Sequence, residues 1–109
     1  MKTIKQITDN LIAAIDTYES LPLDDVMALS EILRILDVNL CHLVIVRDEF
    51  YRKFQSVYFN SKATSSAAKE REAEMLVPEL DLVRKILRHY ADCQNSIRSQ
   101  ISLRKKIDR

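Results

Sequence analysis

The chain has 109 residues, a net charge of +1, two prolines and no glycine or tryptophan. Without glycine no residue is at ease with positive φ, so tight β-hairpins, Rossmann turns and phosphate-cradling P-loops are poor fits. The supply of Ala, Leu, Lys, Arg, Glu and Gln instead predicts one all-α domain over residues 1–109.

The first predicted helix opens on Thr3-Ile4-Lys5-Gln6, a capping box in which Thr3 is the N-cap and Gln6 reaches back. Ile4, Ile7, Leu11, Ala14 and Tyr18 follow at spacings of three and four, which predicts a helix over about 4–19. Ser20-Leu21-Pro22 ends it, since proline cannot continue the hydrogen-bond ladder. The start MKTIKQITDN is too polar and interrupted for a signal peptide.

Asp24 and Asp25 suit the first turn of a second helix, where the macrodipole favours anions. Val26, Leu29, Leu33, Leu36, Leu40, Leu43, Arg47, Phe50, Phe54 and Val57 then alternate by three and four without a slip. That is a coiled-coil-like seam with one charged interruption, Arg47, and it predicts a helix over about 24–59, ~54 Å long. Inside it, ILRILDVNLCHLVIV (residues 32–46) is apolar on every side, so one partner helix cannot cover it. It is also too short and too polar to span a bilayer.

NSKATSS (residues 60–66) reads as a loop. Beyond it Ala73, Leu76, Leu80, Val83, Leu87, Tyr90, Gln94, Ile97 and Ile101 form a second seam, over about 67–107. Pro78 should kink this helix or cut off a short first piece. Two seams joined by a short loop predict a long antiparallel helical hairpin, braced by the short N-terminal helix along the first half of helix 2. Val38 and Ile45 fall opposite the seam, which predicts a homo-oligomer interface there. A loop centred near residue 63 sets Arg47 beside Glu79, Cys41 near residue 84 and Cys93 near residue 32. In that register His42–Cys41 and His89–Cys93 lie several turns apart, which argues against a metal site. Two cysteines without CxxC spacing suit a reduced, cytoplasmic protein.

The charge is uneven. Residues 1–49 hold four basic and nine acidic side chains, and residues 84–109 hold eight and two. The tip RDEFYRKFQSVYFNSK (47–62) contains five of the seven aromatic residues, with Tyr51, Tyr58 and Phe59 off the seam and Arg52, Lys53 and Lys62 among them. Rings interleaved with cations suit single-stranded nucleic acid, by stacking and phosphate contact, and equally suit a protein partner. The tail IRSQISLRKKIDR adds Arg98, Arg104, Lys105 and Lys106, a second candidate phosphate-binding cluster or a set of helix-end cations. By helix rise it lies ~50 Å from the tip.

The order "RDEFYRKFQSVYFN", polar loop, "KEREAEM" and "LDLVRKILRHYADCQNSIRSQISLRKKI", over about residues 43–107, resembles phage recombination mediators of the UvsY type and related small helical phage proteins. The resemblance implies an oligomer that binds single-stranded DNA and helps load a recombinase, with Arg52 and Lys53 on the family's basic first-hairpin helix. Arg84-Lys-Ile-Leu-Arg-His89 also matches the R-x4-H pattern of HEPN-type ribonucleases, although the two residues lie about 140° apart on an unbroken helix. The sequence thus predicts a non-enzymatic, cofactor-free and metal-free DNA-binding accessory of recombination or replication. A protein-binding adaptor or inhibitor docking through the tip is the alternative, and a HEPN-like ribonuclease the third.

Overall fold

The computed structural model describes residues 3–22 and 25–107. Four helices follow one another: α1 (Ile4–Ser20), α2 (Val26–Asn60), α3 (Ser66–Leu76) and α4 (Glu79–Ile107). No strand occurs among the described residues, and no helix there is long and apolar enough to cross a membrane.

Local chemistry sets most of the ends. Both capping-box bonds form at Thr3: the Gln6 amide donates to Thr3 Oγ1 (3.1 Å), and the Thr3 amide donates to Gln6 Oε1 (2.8 Å). Asp25 caps α2 by accepting from the Ala28 amide at 3.0 Å, while Asp24 lies outside the described residues. Ser65 caps α3 in the same way through the Ala68 amide. Pro78 takes the second of its two predicted courses and separates a short α3 from a long α4, with Val77 bonding back to the Ala73 carbonyl.

α2 is the spine, and the other three helices pack on it. Its buried side chains Leu29, Ile32, Leu36, Asn39, Leu40, Leu43 and Val46 form a band wider than the predicted seam. The widening follows from α1, which sets Ile7, Leu11 and Ala14 against α2 beside the α4 contact. Asn39 is the one buried polar residue of the described core. Its amide donates to the Ile35 carbonyl (2.8 Å), and its oxygen accepts from Asn10 (3.2 Å). This satisfied pair pins α1 to α2 at one register, as buried Asn does in coiled coils. The Tyr18 hydroxyl donates to Gln100 Oε1 at 2.8 Å and ties α1 to α4.

The hairpin is antiparallel. Asp37, early in α2, accepts from Gln94 and from Arg98 late in α4, whereas Tyr51, late in α2, meets Arg84 early in α4. Its register differs from the expected one by about two helical turns. Arg47 shares a cleft with Arg84, Leu87 and Arg88 instead of facing Glu79. The expected register assumed one unbroken helix from 67 to 107, whereas the chain leaves helix at Val77 and Pro78. The same break exposes Leu76 (63%) and buries Val77 (5%), so the predicted seam residue is replaced by its neighbour.

Candidate functional site

The break and the shifted register build a site that the order of residues hides. Arg47, Asp48 and Tyr51 from α2 and Arg84, Leu87 and Arg88 from α4 line an open cleft of 460 Å³. Three arginines and one carboxylate line it. Asp48 takes Arg47 at 3.3 Å. The Arg84 guanidinium lies over the Tyr51 ring, 5.8 Å from its centre, a cation–π placement. Arg47 thus breaks the apolar seam without being buried: its side chain is 39% exposed and opens into the cleft.

Tyr51 also belongs to a second, adjoining cleft of 260 Å³, lined by Phe54, Gln55, Tyr58, Phe59 and Glu70. Tyr58 and Phe59 meet edge to face at 5.6 Å, and Phe59 is 75% exposed. Lys69 of α3 lies over the Tyr58 ring at 6.0 Å. The predicted partner-binding rings Tyr51, Tyr58 and Phe59 therefore do come together. On the α3 side a third cleft places Glu70, Glu74 and Asp81 near Arg84, so the basic surface stops at an acidic edge.

The predicted tip cations Arg52, Lys53 and Lys62 line none of these three clefts. Arg52 and Lys53 are adjacent in sequence and so point about 100° apart on the helix. Both are exposed, and Lys53 reaches over the Phe50 ring at 5.1 Å. Lys62 is exposed in the loop before α3, where Ser61 donates to Glu72. At the far end Arg98 is held by Asp37 at 3.3 Å. Lys105 and Lys106 are exposed and Arg104 is half-buried. These three complement the C-terminal end of the α4 dipole.

Sequence reasoning missed Arg47 and Arg88 as site residues, and it weighed Arg84 only as a nuclease candidate. The signal was present in the i, i+4 pair Arg84/Arg88, but choosing it required the register. Of the two residues of the nuclease pattern, Arg84 faces Tyr51, while His89 is exposed and meets Tyr90 edge-on at 4.9 Å. The shifted register also corrects the placement of the cysteines. Asp37 faces Gln94, so Cys41 and Cys93 are level along the hairpin and not several turns apart. They still point differently, with Cys41 exposed on α2 and Cys93 packed against the core. Burial, reinforced by the Asp92 charge, pushes the Cys93 thiol up from its ordinary range. Among the described residues no group of three or more His, Cys, Asp or Glu is placed to hold a metal ion.

No protein-family model, curated protein or solved structure matches this chain.

Proposed function

We propose that the protein is a non-enzymatic, self-associating DNA-binding accessory of recombination or replication, comparable in role to the UvsY-type mediators its hairpin resembles. The observation that carries this reading is the convergence of Arg47, Arg84 and Arg88 beside Tyr51. Phosphates neutralised by the three guanidinium groups release counterions, and a base can stack where Tyr51 and the aromatic cleft meet. Arginine suits this task because its planar fork pairs with phosphate and also lies flat on a ring. The ligand is a single strand, since the rings must reach base faces that a duplex hides.

The test is fluorescence anisotropy with a labelled single-stranded oligothymidylate over a range of salt. The double change Arg84→Glu and Arg88→Glu should weaken binding by about tenfold or more, and neutralising each contact should flatten the logarithmic salt slope by about 0.7. The triple change Arg104→Glu, Lys105→Glu, Lys106→Glu should do less. The opposite ranking moves the site to the tail.

A second reading has its own support. Glu70 and Glu74 beside the aromatic cleft repel phosphate but welcome a basic protein partner, and exposed Phe59 is a natural anchor. In that adaptor or inhibitor reading the wild type binds no oligonucleotide in a salt-sensitive way, and Phe59→Ala abolishes capture of one defined protein.

A further inference from the structure

The self-association in the proposed function can be given a geometry. Val38 (42% exposed), Val44 (36%) and Ile45 (50%) remain open to solvent after α1, α3 and α4 have packed. They surround exposed Cys41 in the middle of α2. Charges bracket this patch on the same face: Glu31 and Arg34, joined at 2.5 Å, lie toward the N-terminal end, and exposed Glu49 and Arg52 toward the C-terminal end. Along this face Glu31, Val38, Ile45 and Arg52 recur every seven residues, the repeat of a second coiled-coil seam.

We infer that this outer face of α2 pairs with the same face of a second copy, antiparallel, about a two-fold axis between Cys41 and His42. In that register Val38 of one copy lies level with Ile45 of the other. Glu31 becomes level with Arg52 of the second copy, and Arg34 with Glu49. The two-fold repeats both matches, so four opposite charges close each end of the apolar centre. The other arrangements fail on the same residues. Parallel pairing sets Glu31, Arg34, Glu49 and Arg52 each against its own like. Sliding the antiparallel pair by one heptad sets either Ile45 against Glu31 or Val38 against Arg52. Charge pattern therefore selects both the direction and the register, as it does in coiled-coil pairing. The axis also brings the Cys41 thiols of the two copies together. Arg47 is nine residues from Val38 and hence on the opposite side of α2, about 180° away. Arg47 therefore stays outside the interface, while Asp48, seven residues after Cys41, is the cleft residue that borders it; pairing needs no DNA.

Sedimentation equilibrium on the full chain tests the inference without nucleic acid. The wild type should give twice the monomer mass of 12.7 kDa at high micromolar concentration. Arg52→Glu should raise the dimer dissociation constant by about tenfold or more, because like charges then face each other. Adding Glu31→Arg should restore it. Copper-phenanthroline oxidation should yield a covalent dimer that is lost in Cys41→Ser and kept in Cys93→Ser, with circular dichroism confirming that each variant is folded. A monomeric wild type overturns both the pairing and the self-association. A wild-type dimer that does not cross-link through Cys41, and whose weakening by Arg52→Glu is not reversed by Glu31→Arg, overturns this geometry alone. Loss of DNA binding with the dimer intact bears only on the arginine cleft.

Discussion

The two faces of α2 are made from the same kinds of residue and meet different fates. The inner face carries Ile32, Leu36, Leu40 and Leu43, all buried against α1 and α4. The outer face carries Val38, Val44 and Ile45, which no helix of the same chain covers. The difference lies in the neighbours. Inner positions recur with apolar residues one turn away in both directions, whereas the outer patch is only about two turns long and ends in charges at each side. An uninterrupted stripe docks on the rest of the chain during folding, while a short one bounded by charges can stay in water until a second surface meets it.

The first way to break this comparison is truncation. Leu43→Ala on the inner face should cost about 2–5 kcal/mol in urea unfolding, because no rearrangement fills a fully buried site of that size. Val38→Ala should cost the isolated monomer less than about 1 kcal/mol. Equal losses would mean that the two faces are equally buried.

A smaller effect is expected at the polar contact of the inner face. Asn10→Ala leaves the oxygen of buried Asn39 without its partner and should cost about 1–3 kcal/mol, with α1 losing amide-exchange protection before α2. If α1 stays fully protected, packing alone sets its register.

Smaller again is Arg47→Leu. A buried, paired arginine would cost several kcal/mol to remove from its partner. Among the described residues this one is bound to Asp48 alone, and it is substantially exposed, so the change should move stability by no more than about 0.5 kcal/mol while weakening single-strand binding. Glu79→Ala should be equally silent for stability, in contrast to a hairpin in which the two residues pair.

The mildest probe is thiol chemistry. In the monomeric variant Val38→Glu, Ile45→Glu, iodoacetamide near pH 8 should label Cys41 before Cys93. Burial and Asp92 raise the Cys93 pKa, so its reactive thiolate forms only at higher pH than in an ordinary thiol, and its labelling should rise later along the pH axis. In the wild type, Cys41 labelling should slow as protein concentration increases.

What could be read from the sequence alone was what local chemistry decides. The Thr3–Gln6 box and the stop at Leu21-Pro22 each act over four residues or fewer, and α1 and α2 begin and end within about two residues of the predicted bounds, although Asp25, expected inside the first turn of α2, is instead its N-cap. The all-α character follows from the absence of glycine and the periodicity of the seams. The exposed Val38 and Ile45 were also legible, since their angle on the helix follows from spacing alone. What only the tertiary structure decided was which residues of α2 and α4 meet. That register depends on the path of the chain through the 61–65 connection, α3 and the break at 77–78, none of which the periodicity of the seams specifies. It separated Arg47 from Glu79 and joined it to Arg84 and Arg88. Cation density along the chain pointed to the tip and the tail, but a binding surface needs charges that converge in space, and the convergence arises where two distant helices lie side by side.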